Sequence, residues 1–244
     1  MGKQQRLQVS TSAYSDQGLM QTLTVASNQQ MEVYSALAYN ALAGENSIGL
    51  YHSFASPNFK LWKLLAAGDA EFTSTIQAGS TVSIFNTTNN DGCLFQAKDK
   101  FNMIAFNVSQ AETGSPVYTY KYWNGSSFST LTLLNTPSYS ATGIQVIIFE
   151  APSDWVVGDG SEDTDPLLYS IQIISTTAPS QAVQINSLKL GKVLGYSEAI
   201  ESCGELEVEF DIEPLLLQVG EGIIPFFSYT DPSNRLEITY KVSG

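Results

Sequence analysis

A loop between residues 158 and 166 holds a dense group of candidate metal ligands. Four carboxylates fall within seven residues there: Asp159, Glu162, Asp163 and Asp165. Carboxylate oxygens are hard ligands, and with backbone carbonyls and water they could hold Ca²⁺. The spacing does not match the common twelve-residue Ca²⁺ loop, which ends on a bidentate glutamate. We therefore predict a solvated turn without a cofactor, with Ca²⁺ binding at these four residues as the alternative.

A second acidic segment, residues 205–213, alternates strictly between charged and apolar side chains. Successive side chains of a strand point to opposite faces, so the alternation predicts a strand with one acidic and one buried face. Carboxylates two residues apart lie about 7 Å from each other on such a strand. The acidic face either keeps the protein soluble and resists the pairing of strand edges, or it meets a basic surface or a cation at an intersubunit contact. In the second case Glu205, Glu207 and Glu209 are the interface residues.

Catalytic chemistry is not predicted for this chain. His52 is the single histidine and no recognised nucleophile motif accompanies it, whereas a catalytic triad needs a nucleophile and a base oriented by a carboxylate. One histidine with Cys93 and Cys203 cannot complete the usual ligand sets of a zinc centre. Paired carboxylates hydrolyse glycosides only when they are held rigidly on both sides of a cleft, which a flexible loop does not provide. We expect no catalytic residues and no enzyme activity.

Aromatic residues are concentrated in the middle of the chain, and several could stack on sugar rings in a binding groove. In a β-sandwich, alternating aromatic residues more often form the core and its rim. We predict that they form the core, with a carbohydrate-binding adhesin module as the alternative. The residues concerned are Tyr118, Tyr120, Tyr122, Trp123, Trp155 and Tyr169.

The charge of the chain excludes several classes of partner. Its formal net charge is −13, which would repel the phosphates of nucleic acid and an anionic membrane surface. No apolar run approaches the roughly 18 residues of a membrane span, and no apolar segment of a signal peptide follows the basic N-terminal residues. We therefore expect no nucleic-acid or membrane partner, and synthesis as a soluble protein in the cytoplasm.

Short alternating segments are separated by turn residues at intervals of roughly 8 to 12 residues, which is typical of β-sandwiches and barrels. The pattern predicts an all-β protein with few helices, built from two antiparallel β-sandwich or jelly-roll-like units and a C-terminal β extension. We place the first sandwich at residues 1–111 and the jelly-roll-like module at 117–195, joined by a linker at 111–116 that contains Gly and Pro. Residues 196–244 form the extension, which should complete a sheet or pair with a neighbouring subunit.

The second predicted unit has the clearest local signals. Val117–Trp123 alternates as a strand, and the Asn124-Gly125 pair after it favours the tight turn of a β-hairpin. The apolar segment Ile144–Phe149 should be a buried strand, and Leu168–Ile173 should be a further alternating strand. Trp123 and Trp155 are expected to be largely buried in this unit.

Several motifs resemble modules of tailed-bacteriophage virion proteins. Those in the second unit are Tyr122-Trp123-Asn124-Gly125, Pro152-Ser153-Asp154-Trp155 and Leu168-Tyr169-Ser170-Ile171, and Leu61-Trp62-Lys63-Leu64 with the turn at 65–69 is a further one. The resemblance implies a structural protein of the virion without a catalytic centre, either a decoration or accessory protein on the head or a tail, baseplate, collar or fibre component. It also implies contacts with the major capsid protein or with tail proteins, and a homo-oligomer such as a trimer.

Overall fold

The computed structural model of the protein describes residues 5–10, 25, 29–40, 46–55, 58–65, 68–135, 137–159, 167–201, 204–210, 213–219, 221–227 and 235–243. Strands account for 60% of the residues and α-helix for 3%, so the predicted all-β fold is confirmed. The described ranges contain one short helix, α1 (Thr73–Gln77). No helix in them is long and apolar enough to cross a membrane.

The strands are numbered in chain order. In the first half of the chain they are β1 (Gln5–Ser10), β2 (Gln30–Tyr39), β3 (Asn46–Ser53), β4 (Phe59–Leu64), β5 (Ala70–Glu71), β6 (Val82–Phe85), β7 (Gly92–Ala97), β8 (Met103–Gln110) and β9 (Val117–Trp123). In the second half they are β10 (Phe128–Thr130), β11 (Gly143–Ile148), β12 (Tyr169–Thr177), β13 (Val183–Ile200), β14 (Glu205–Glu209), β15 (Leu215–Leu217), β16 (Gly222–Phe227) and β17 (Arg235–Ser243).

The chain divides into two compact units whose boundaries differ from the predicted ones. Unit 1 comprises residues 1–55 and 191–244, and unit 2 comprises residues 56–190. The segment predicted as a linker lies inside unit 2, where Glu112 N donates to Tyr139 O and Ser180 N donates to Thr113 O. These hydrogen bonds tie the segment into the unit, so its Gly and Pro mark a loop within a domain rather than a boundary.

Unit 2 contains a six-stranded antiparallel sheet, sheet II, with the strand order β10-β9-β12-β7-β4-β5. Cross-strand partners in such a sheet share one face. Leu61, Phe95, Ile171 and Tyr122 lie in register across four strands, and the first three of them are almost completely buried. This row therefore defines the inner face of sheet II, and residues one position along each strand define its outer face.

The second layer of unit 2 is formed by β11, β8 and the first part of β13, with β6 also paired to β13. Rings from this layer contact the inner face of sheet II. Phe85 lies 4.5 Å from Tyr118 of sheet II between ring centroids, and Tyr139, which precedes β11, contacts both Tyr118 at 4.9 Å and Phe106 at 5.7 Å. The two layers thus enclose an aromatic core, as in a β-sandwich.

Unit 1 contains a five-stranded sheet, sheet I, with the order β1-β17-β2-β14, to which β15 adds by pairing with β2. In the same unit the second part of β13 pairs with β3, and β3 pairs with β16. The C-terminal strands β14, β15 and β17 all pair with β2. Their apolar side chains join a core that includes Val33, Leu50, Ile223 and Ile238, each 0% exposed.

Candidate functional site

The acidic strand β14 presents its carboxylates to solvent along one edge of sheet I. Glu205, Glu207 and Glu209 are exposed, while Leu206 and Val208 between them are half-buried against the core of unit 1. The strand is last in the sheet order and pairs with β2 alone among the described strands. The predicted separation of an acidic face from an apolar face is therefore confirmed for residues 205–209.

The surroundings of the three glutamates do not neutralise their charge. Ser35, Leu37 and Tyr39 of β2 lie directly opposite them and therefore share their face of the sheet. None of these neighbours is positively charged, and the three glutamates form no ion pair with any side chain that the structure describes. Of the rest of the acidic segment, Glu213 is exposed, and Asp211 and Ile212 lie outside the described residues.

The structure brings a carboxylate to His52 that the sequence did not identify. His52 Nε2 lies 3.1 Å from Glu221 Oε2, and both side chains are 13% exposed. The carboxylate also accepts a hydrogen bond from Gln218 N at 3.0 Å. The adjacent serine, Ser53, is buried, and its Oγ donates to Gly222 O. The pair of His52 and Glu221 thus links β3 to the start of β16, and the hydroxyl of Ser53 is engaged elsewhere.

The environment of Glu221 favours its charged form. Burial raises the pKa of the carboxyl, but hydrogen bonds from His52 and Gln218 N lower it, and the charges of His52 and Lys192 lower it further. The net effect is a pKa below the usual range of a glutamate. A carboxylate held by two hydrogen bonds stabilises the contact between the two strands.

Asp159, one of the four candidate Ca²⁺ ligands, is buried rather than solvated. Its Oδ2 accepts a hydrogen bond from Gln96 Nε2 at 3.1 Å, and the same amide donates to Ser170 Oγ at 3.0 Å. The prediction of a solvated turn is wrong for Asp159, because its carboxylate is buried and hydrogen-bonded to the side chain of Gln96 on sheet II. Glu162, Asp163 and Asp165 lie outside the described residues. Elsewhere, in the ranges that are described, no group of three or more His, Cys, Asp or Glu side chains could hold a metal.

A buried polar cluster on the inner face of sheet II surrounds Lys63. Its Nζ donates to Asn86 Oδ1 at 2.7 Å, and Asn86 Nδ2 donates to Asp91 Oδ2 at 3.0 Å. Burial lowers the pKa of Lys63, and the charges of Asp91 and Cys93 partly offset this effect.

Cys93 is a free, buried thiol whose pKa is raised well above its usual value by burial. A thiol kept protonated in this way is a poor nucleophile, so the cluster serves packing. Cys203 lies outside the described residues.

Most of the candidate aromatic residues belong to the core, as predicted. Tyr118 packs on Tyr139 at 4.9 Å and donates to a carboxylate oxygen of Glu112. The hydroxyls of Tyr120 and Tyr139 are 3.1 Å apart, and burial is the main cause that raises the pKa of Tyr120 to about 12. Trp155 is 1% exposed. These rings are therefore not available as a sugar-binding groove.

Tyr122 and Trp123 differ from this core group. Tyr122 is partly exposed at the rim, where its hydroxyl donates to Asp154 Oδ1 at 2.9 Å. Trp123 is partly buried, less completely than Trp155, because it lies on the outer face of sheet II. There it contacts Phe128 with ring centroids 5.4 Å apart.

The outer face of sheet II also carries residues that sequence reasoning missed. Trp62, Leu94, Gln172 and Lys121 lie in register across four neighbouring strands. Leu94 is buried, whereas the other three are partly exposed. The alternation of β4 was a usable signal, since it places Trp62 on the face opposite to the buried Phe59 and Leu61.

A scan against protein-family models and a search of curated proteins found no match to this chain.

Proposed function

We propose that this chain is a non-enzymatic structural protein of a tailed-bacteriophage virion, attached to the head as a decoration or accessory protein through β14. The observation that carries the proposal is the exposed acidic edge formed by Glu205, Glu207 and Glu209. The resemblance of the motifs at residues 122–125 and 152–155 to virion modules supports the choice of particle.

The charge of β14 indicates which partner its edge fits. Like charges directly opposite each other destabilise a strand pair, so antiparallel pairing of β14 with a second copy of itself would bring glutamates together. A basic protein surface would instead gain charge-assisted contacts with the same side chains. The homo-oligomer implied by the resemblance would therefore use another surface of the chain.

The attachment should depend on salt. Exposed charges are screened beyond about 8 Å at physiological ionic strength and beyond about 3 Å at 1 M. Attraction between the acidic edge and a basic surface would therefore weaken as salt rises, mainly through slower association.

The test is co-sedimentation with undecorated heads of the phage that encodes the chain, at low and at high salt. A triple variant, Glu205→Gln, Glu207→Gln and Glu209→Gln, keeps the size of the side chains and removes three charges. The matched control, Asp99→Asn, Glu150→Gln and Glu201→Gln, removes three exposed carboxylates elsewhere.

We expect the β14 variant to lose attachment at low salt, while the control variant sediments with heads like the parent. Equal retention of the β14 variant and the parent at every salt concentration would refute attachment through this edge. Attachment of the parent to purified tails but not to heads would move the proposed location to the tail.

A further inference from the structure

The outer face of sheet II combines flat aromatic rings with hydrogen-bonding side chains. One row across the sheet runs from Trp62 through Leu94 and Gln172 to Lys121. Trp123 lies two residues beyond Lys121 on β9, beside Phe128 of the adjacent strand. All of these side chains except that of Leu94 are partly exposed.

This mixture has the chemistry of a saccharide-binding surface. A sugar ring has a face of C–H groups that packs on an aromatic ring, and a rim of hydroxyls that needs donors and acceptors. Tryptophan provides a large, rigid apolar plane with a polar N–H at its edge. The amide of Gln172 both donates and accepts hydrogen bonds, and the ammonium of Lys121 donates three.

Trp62 carries a second feature that points to a hydrogen-bonding ligand. Its Nε1 is buried and has no hydrogen-bond acceptor among the described residues, which is unfavourable for a donor removed from water. Lys60 Nζ lies 5.8 Å from the centre of the Trp62 ring.

The two tryptophans are spaced for an oligomer rather than for a single sugar. They are separated by three strand spacings across the sheet and by two residues of offset along it, which places their Cα atoms about 16 Å apart. A single ring cannot contact both. A short oligosaccharide lying across Gln172 can stack at both ends.

We propose that this outer face, with Trp62 and Trp123 as its two stacking residues, binds a neutral oligosaccharide. The net charge of −13 disfavours a strongly anionic glycan by the same repulsion that disfavours nucleic acid. The surface belongs to unit 2 and does not include β14, so this proposal and the proposed attachment to the head fail or succeed independently.

The test begins with the full-length protein on an array of defined neutral and acidic oligosaccharides, including those of bacterial cell surfaces. The best binder is then titrated by tryptophan fluorescence and calorimetry against the parent, Trp62→Ala, Trp123→Ala and the control Leu134→Ala. Leu134 is an exposed apolar residue of the same unit. Thermal unfolding of every variant checks that the fold is intact.

We expect a neutral oligosaccharide to bind, and each tryptophan variant to weaken binding by roughly tenfold through the loss of one stacked ring. The control should bind like the parent. If a tryptophan variant does not fold, Lys121→Ala and Gln172→Ala replace it, because both side chains are partly exposed and polar. No binding by the parent to any oligosaccharide on the array, or equal binding by the face variants and the control, overturns the proposal.

Discussion

At the scale of single residues, the pair of His52 and Glu221 couples the stability of the fold to pH. The pKa of Glu221 is lowered in the folded protein, so it lies below the value of about 4.3 that an unfolded glutamate has. A carboxyl with a depressed pKa contributes fully above its unfolded pKa, and its contribution is lost as pH falls through the folded value. The contact between His52 and Glu221 therefore loses its stabilising contribution at acidic pH.

We predict that Glu221→Gln lowers the free energy of unfolding at pH 7 by about 1–2 kcal/mol, because the hydrogen bonds from His52 and from Gln218 N then end on a neutral amide oxygen instead of a carboxylate. On acidification below about pH 4.3 the variant should lose less further stability than the parent. Urea unfolding at a series of pH values measures both effects, and Glu150→Gln, at an exposed position, is the control. An identical acid profile for Glu221→Gln and the parent would contradict the role of the pair.

Trp155 and Val156 are adjacent residues with opposite environments. Trp155 is 1% exposed and contacts Phe101, with ring centroids 5.1 Å apart, whereas Val156 is 42% exposed. We predict that Trp155→Ala costs about 3–5 kcal/mol by opening a cavity. Val156→Ala should change stability by less than about 0.5 kcal/mol. Chemical denaturation of the two variants measures their free energies of unfolding. Equal values for Trp155→Ala and Val156→Ala would show that Trp155 is not a core residue.

At the scale of elements, a strand with clean alternation could be predicted from sequence to the residue. The predicted strand Val117–Trp123 coincides with β9, because Tyr118 and Tyr120 alternate with residues of the outer face and pack on the aromatic core. The hairpin after β9 is also confirmed. Its turn spans four residues, 124–127, rather than two, because Asn124 Oδ1 accepts the backbone N–H groups of Ser126 and Ser127.

Asn124 is therefore the residue that organises this turn. Besides accepting those two bonds, its Nδ2 donates to Ser129 Oγ at 2.8 Å. We predict that Asn124→Ala destabilises the protein by about 1–2 kcal/mol through the loss of these bonds. Ser127→Ala, which leaves the backbone N–H in place, should be nearly neutral. If urea unfolding gives both variants the same stability, the side chain of Asn124 does not hold the turn.

The candidate sites were predictable only where they lie within one element. The exposure of Glu205, Glu207 and Glu209 follows from local alternation alone. The contact of His52 with Glu221 joins residues 169 positions apart, and the row from Trp62 to Lys121 depends on the order of four strands. No local pattern contains the strand order, so the sequence could not identify either grouping.

At the scale of the whole molecule, turn signals predicted boundaries that strand pairing does not follow. The predicted boundary at 111–117 separates β7 from β12, yet these two strands are paired over six residues. Unit 1 is also assembled from both ends of the chain, which composition along the chain cannot reveal. The division into units is therefore set by pairing between strands that lie far apart in the sequence.

The division of the chain found in the structure and the division predicted from sequence lead to opposite expectations for isolated fragments. A fragment of residues 56–190 retains every strand of sheet II together with β6, β8, β11 and the first part of β13. A fragment of residues 117–195, the unit expected from sequence, loses β7, which lies beside β12 at the centre of sheet II. It also loses β4, and it loses β8, which pairs with β11. Its apolar faces would then stay exposed to water.

We predict that fragment 56–190 shows a cooperative thermal transition and a near-ultraviolet circular dichroism signal from packed aromatic residues, and that fragment 117–195 shows neither. The physical reason is that fragment 117–195 keeps only β10, β9 and β12 of sheet II, while β11 and β13 lose every strand with which they pair. Without a paired second layer, the apolar face of the remaining strands stays exposed to water. Cooperative unfolding of fragment 117–195 together with an unfolded fragment 56–190 would reverse this conclusion, since it would place the independent core on the C-terminal side of residue 116.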